Sequence, residues 1–104
     1  MENKIYQLSF LPIFEQDLLE TVDYIANVLQ NETAADNLIN NIEEAIMERL
    51  NNPLAFEPYY STKERKNSYY RIYVGNYTIF YVVIENVMEV RRLIYSARDI
   101  DKII

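Results

Sequence analysis

Residues 69–99 read YYRIYVGNYTIFYVVIENVMEVRRLIYSARD, and they decide the fold. Three runs rich in β-branched and aromatic residues, 69–74, 77–84 and 87–96, are separated by the two-residue breaks Gly75-Asn76 and Glu85-Asn86. Glycine and asparagine tolerate positive φ, so both breaks suit tight hairpin turns and the runs are expected to form an antiparallel meander. The middle run is apolar on both faces and belongs inside the sheet. In the first run, period two puts Tyr70, Ile72 and Val74 on one face and Tyr69, Arg71 and Tyr73 on the other. The aliphatic set is expected to pack on helices, leaving Arg71 between two tyrosines on the opposite side. Arg91 and Arg92 should point to opposite faces of the third run, and Arg98 lies just past its end.

Upstream of this stretch the period changes. Residues 4–10 alternate Ile5, Gln7 and Ser9 against Tyr6, Leu8 and Phe10, the pattern of a half-buried strand. Pro12 suits the first turn of a helix, where its missing N–H costs nothing. Phe14, Leu18, Val22, Ile25 and Leu29 then keep a helical period over residues 12–30. Thr33 with Asp36 resembles a capping box opening a second helix, with the stripe Ala34, Leu38, Ile42, Ala45, Ile46 and Leu50, which Asn51-Asn52-Pro53 stops. Tyr24, Tyr70 and Tyr81 fit core positions. Residues 54–68 keep neither period and hold Lys63, Arg65 and Lys66, so they read as a long loop of the length that often carries function. The expected class is α+β in the order β-α-α-β-β-β, a helical hairpin packed on a small, mostly antiparallel four-stranded sheet.

Composition narrows the chemistry. The 104 residues, 50% hydrophobic and 25% charged, suffice for one core and make a single domain over 1–104 the expectation. With no His and no Cys there is no imidazole base, no Ser-His or Cys-His nucleophile pair, no disulfide and no thiolate metal site. The acidic residues show no ligand spacing, so neither a metal nor another cofactor is expected. The start, Met1-Glu2-Asn3-Lys4, lacks the features of a signal peptide, so a cytoplasmic protein with no membrane contact is expected. The net charge of −6 is unevenly spread: residues 1–58 hold 2 Lys and Arg against 11 Asp and Glu, whereas residues 59–104 hold 8 against 5. The local field is what a binding partner feels, so the second half is where a target is expected to bind.

The segments Tyr-Arg-Ile-Tyr-Val-Gly-Asn-Tyr-Thr-Ile-Phe-Tyr at 70–81 and Ile-Tyr-Ser-Ala-Arg-Asp at 94–99, with the strand and helices before them, resemble the RelE/ParE superfamily of toxins from bacterial type II toxin–antitoxin systems, modules also known for plasmid stabilisation and addiction. The resemblance implies a growth-inhibiting toxin held by a cognate antitoxin. RelE-like members are mRNA interferases, endoribonucleases that cut messenger RNA on the ribosome; ParE-like members inhibit DNA gyrase without enzymatic chemistry. Cleavage by a site without His needs cations that stabilise charge developing on the phosphate, together with groups that move protons. On that pattern Arg71, Arg98 and Tyr73 are the candidate catalytic residues, and Lys63, Arg65, Lys66 and Tyr69 the candidate contacts to RNA or another target. Tyr73 and Thr78 stand where the ribonucleases carry further basic residues, Tyr95 where many relatives show His, and Ile104 near the position of a terminal Tyr.

Ribosome-dependent mRNA cleavage is thus the first expectation, gyrase inhibition the second, and a member that only binds its antitoxin the third. Plainer readings stand beside the sharp ones. Arg71 between tyrosines is also an ordinary surface cation–π arrangement. Arg98-Asp99 is equally a local ion pair at a helix start, and Lys63, Arg65 and Lys66 a solvated loop.

Overall fold

The structure is a computed structural model and describes residues 5–60 and 66–104. Strand β1 (Gln7–Phe10) leads into helix α1 (Pro12–Asp23), a π-helical turn (Tyr24–Val28) and helix α2 (Glu32–Leu50). Strands β2 (Tyr70–Val74), β3 (Tyr77–Ile84) and β4 (Val87–Tyr95) come next, and a one-turn helix, α3 (Ile100–Ile103), ends the chain. The sheet order is β1-β4-β3-β2, with β1 parallel to β4 and the other pairs antiparallel. The α+β class and the meander agree with the sequence reading; α3 is an addition to it.

Both helices lie on one face of the sheet, α1 on β4 and α2 on β2. Phe14, Ile42 and Ile46 from the helices meet Ile72, Val74, Ile79, Tyr81, Met88, Val90 and Leu93 from the strands in one buried cluster. Central strand β3 is buried from Thr78 to Val82, as its two apolar faces require. One break in alternation shapes this core. Phe80 pairs with Arg92, but Tyr81 pairs with Val90, so Arg91 is an extra residue on β4. Such a bulge resets the pleat, which is how Val90 and Leu93, three residues apart, both enter the same core.

Three local expectations are corrected. The apolar stripe of the first helix does not run to Leu29, which is 55% exposed, and Tyr24 is 52% exposed rather than in the core. For Leu29 the physical reason is the π-turn, whose wider winding inserts a residue and rotates the chain beyond it off the buried stripe, whereas Tyr24 lies beside the buried stripe residue Ile25 and so turns outward. Asn31, not Thr33, caps α2, its Oδ1 accepting the Ala34 N–H at 3.0 Å. Within the second helix Ala35 is buried where the stripe predicted Ala34.

The turns also differ in detail. Positive φ falls on the first residue of each hairpin break, 56° at Gly75 and 56° at Glu85, not on either asparagine. Glycine holds that conformation freely, whereas a side chain pays roughly 1 kcal/mol or more for it. Glu85→Gly is therefore expected to raise stability by roughly 0.5–1 kcal/mol. Gly75→Ala, with nothing within 4 Å of the added Cβ, should lose about 1 kcal/mol from backbone strain alone. Urea midpoints of the two variants check both signs.

Candidate functional site

The face of the sheet turned away from the helices is built by β2, β3 and the chain that returns beside them. Arg71 and Tyr73 stand on this face of β2, opposite Phe80 and Thr78 of β3. Tyr59 forms a bridge with Tyr69, its N–H donating to the Tyr69 carbonyl at 2.6 Å, and so brings the 54–60 segment alongside. The Arg71 guanidinium lies 4.9 Å from the centre of the Tyr59 ring and 5.8 Å from that of Tyr73. Alternation along the strand predicts Tyr69 and Tyr73 as the flanking pair; Tyr69 instead meets Arg91, at 5.8 Å. Arg91 is further held by Glu89, its Nε and Nη2 both donating to Oε2 at 3.1 and 2.9 Å.

This face is roofed by the chain itself. Phe80 is fully buried although it faces away from the helices, with the Tyr59 ring edge-on at 5.4 Å and Tyr69 at 6.0 Å. The Tyr59 hydroxyl donates to the Asp101 carboxylate, which ties α3 to the same roof. Thr78 is buried too and shares a 2.8 Å hydroxyl contact with Ser96. Tyr73, 65% exposed, is the ring here most open to a partner. Lys66 is exposed on the loop side, whereas Lys63 and Arg65 lie outside the described residues.

Arg98 is not part of this cluster. It lines a separate depression with Glu20 and Tyr24 of the first helical segment and Tyr77, Leu93 and Tyr95 of the sheet. The structure thus brings Arg71, Tyr73 and Tyr69 to one face and sets Arg98 at the hairpin end of the molecule. A second depression, apolar and about 230 Å³, lies between β1 and the helices, lined by Leu8, Phe10, Phe14, Leu18, Ile46 and Met47, with Glu15 and Glu43 also on its wall. Among the described residues no three carboxylates converge as metal ligands, and no helix is long and apolar enough to cross a membrane.

Two side chains that the sequence did not single out hold the site in place. Arg49, in the last turn of α2, donates from Nη1 to the Arg71 carbonyl at 2.8 Å and to the Tyr81 hydroxyl at 3.0 Å, while its guanidinium lies 3.4 Å over the Phe56 ring. The Tyr81 hydroxyl in turn donates to the Pro53 carbonyl at 2.7 Å. On α1, Asp17 grips β4 through Arg92 and the Leu93 N–H. No local spacing marks either residue, because each of these side-chain partners except Phe56 lies more than 20 residues away.

Burial raises the Tyr81 phenol above its ordinary range, against the lowering effect of Arg49. Burial likewise raises Tyr77, and the nearby Tyr95 and Tyr24 phenols add to the shift. In both cases the folded chain holds the proton more tightly than the unfolded chain does. Their contribution to stability is therefore fully present below the ordinary phenol value of about 10 and is lost as pH climbs through the raised values. Urea midpoints should be level approaching that pH and fall beyond it; Tyr81→Phe should make the fall shallower.

A family model described as the ParE toxin of type II toxin–antitoxin systems, parDE, matches residues 8–100. Among solved structures, a chain of the chromosomal ParDE system from P. aeruginosa is similar at TM-score 0.64 and 15% identity, over 86% of this chain and 95% of that one. A chain of the E. coli DinJ–YafQ toxin–antitoxin complex is similar at TM-score 0.58 and 11% identity, over 89% and 94%. A chain of the RelB–RelE complex from Methanococcus jannaschii shares 25% identity over 84% and 88%, with a TM-score of 0.46. No curated protein matches the chain. At such identities the ParDE and DinJ–YafQ likenesses speak for the fold.

Proposed function

We propose, for a chain that belongs to the ParE toxin family of type II toxin–antitoxin systems, that it arrests growth by binding DNA gyrase rather than by cutting RNA. The carrying observation is the roofed outer face of the sheet. A ribonuclease of the RelE type needs its basic strand residue open to a phosphate and its aromatic rings open to bases. Here Arg71 rests against Tyr59, Tyr59 and Tyr69 cover Phe80, and Asp101 puts a carboxylate at the edge of the same roof. An anionic backbone approaching Arg71 would have to displace this packing. Family membership supports this reading, since gyrase is the target that the resemblance gives to ParE-like members.

The partner that holds the toxin in check is a cognate antitoxin, as in the ParDE and DinJ–YafQ assemblies. The apolar depression beside β1 suits a segment of such a protein, because it joins a hydrophobic floor to the outer edge of a short strand.

The second reading, ribosome-dependent mRNA cleavage, is favoured by one observation: Arg71 and Arg91 share a face with Tyr69 and Tyr73. Induced expression with mapping of mRNA 5′ ends, run beside a gyrase supercoiling assay on purified protein, separates the two. The expected result is blocked supercoiling with transcripts intact at the onset of arrest. Gyrase left untouched by a large excess of the protein would sink the proposal, and new 5′ ends that disappear in Arg71→Ala would establish the second reading in its place.

A further inference from the structure

The depression around Arg98 plays no part in the proposed function, and its geometry points to a binding site for a nucleotide: a planar base set against tyrosine rings with its phosphate on Arg98. The cleft measures about 550 Å³, a size that accepts a nucleoside monophosphate. Its walls come from three separate parts of the chain, the first helix, the β2–β3 hairpin and the turn after β4.

The wall is rich in tyrosine. Tyr77 and Tyr95 lie with ring centroids 5.7 Å apart and tilted by 55°, an open angle rather than a closed stack. The Tyr24 phenol is near enough to Tyr77 to affect its ionisation. Tyr24 reaches the cleft because it opens the π-turn, a departure from α-helix that frequently accompanies function. Three phenol hydroxyls, each able to donate or accept, and a guanidinium that only donates therefore line one cleft. The Tyr77 phenol is protonated at neutral pH, as any phenol is, and can donate there.

The two carboxylates on the wall already have partners. The carboxylate of Asp17, which also borders the cleft, is taken by Arg92 and the Leu93 N–H. Glu20 accepts from Gln16, at 3.0 Å, and its remaining lone pairs suit a base amino group or a ribose hydroxyl. Among the described residues no carboxylate pairs with Arg98, so its charge is available to an anion. Its turn is anchored: the Arg98 N–H donates to the Tyr95 carbonyl at 3.0 Å, and the Ser96 N–H to the Asn76 carbonyl at 2.8 Å. A guanidinium on a tethered turn beside aromatic faces recognises a phosphate and a base together. The chain's charge of −6 opposes an anion, which weakens binding, and added salt screens both that repulsion and the attraction of Arg98 for a phosphate.

This inference is independent of the gyrase reading, and its test leaves growth arrest aside. Purified protein is titrated with AMP and with GMP, followed by amide and tyrosine ring NMR shifts. Adenosine, inorganic phosphate and a 5′-phosphorylated dinucleotide are run in parallel. The expected result is saturable shifts at Tyr24, Tyr77, Tyr95 and Arg98 with a mononucleotide, weakened about tenfold or more by Arg98→Gln. Tyr95→Leu, at an exposed position, should weaken the base contribution and leave phosphate binding in place. Saturation by the mononucleotides assigns a free nucleotide as the source; saturation by the dinucleotide alone assigns the end of a strand. No saturable shift with any of them overturns the inference. So does binding that Arg98→Gln leaves unchanged, or inorganic phosphate binding as tightly as the nucleotides.

Discussion

Asp17→Ala is expected to cost about 3–5 kcal/mol of unfolding free energy, the largest effect of any single polar substitution in this chain. Asp17 Oδ2 accepts the Arg92 Nε–H at 2.8 Å and the Leu93 backbone N–H at 3.0 Å, while Oδ1 accepts from Arg92 Nη2 at 3.2 Å. The Arg92 and Asp17 side chains keep only 21% and 13% of their surface, so solvent screens the pair weakly. Removing the carboxylate leaves a guanidinium and a strand N–H without their partner at the point where α1 meets β4. Removing both ends should hurt less: Asp17→Ala with Arg92→Ala is expected to lose clearly less than the sum of the single variants. Urea unfolding with an unchanged m-value reads the effect. A loss below about 1 kcal/mol for Asp17→Ala would place this pair with ordinary surface ion pairs.

Arg49→Ala is expected to cost about 2–4 kcal/mol, on the order of 10 °C or more in melting temperature for a chain of this size. The substitution removes the donor to the Arg71 carbonyl, one of two hydrogen bonds at the buried Tyr81 hydroxyl, and the flat contact with Phe56. Arg49→Lys should recover only part, because a compact ammonium does not stack on an aromatic ring as a planar guanidinium does. Tyr81→Phe in the Arg49→Ala background should then cost less than it does alone, since the partners are shared. Equal costs in both backgrounds would show that the Arg49–Tyr81 hydrogen bond contributes nothing. Since Arg49 holds the backbone of Arg71, the variant also tests how firmly the outer face must be fixed for toxicity.

How much is legible in the sequence depends on the range of each interaction. Alternation over 70–74 assigns Ile72 and Val74 to the core and Arg71 and Tyr73 to the other face, because neighbours two apart set a strand's faces whatever lies beyond it. The helix stop at Asn51 and the break at Gly75-Asn76 are readable for the same local reason. Leu29 escapes such a reading because a π-turn changes the period from within, and no residue type announces one. The site is less legible. Tyr59 comes to Arg71 from a loop with no period, and Arg98, adjacent in motif to the meander, ends in a different cleft.

The amino-acid sequence by itself determined the order of the four strands and two main helices, the faces of β2, the burial of β3 and, through residues 70–81 and 94–99, membership of the toxin superfamily. All of these rest on periodicity and turn chemistry acting over a few residues. Only the tertiary structure decided that the outer face is roofed by Tyr59 and α3, that Arg49 and Asp17 lock the helices to the sheet, and that Arg71 and Arg98 serve different surfaces. The physical reason is that these outcomes depend on groups up to 76 residues apart meeting in one place. Burial and hydrogen-bond satisfaction select such meetings from many that local pattern allows equally.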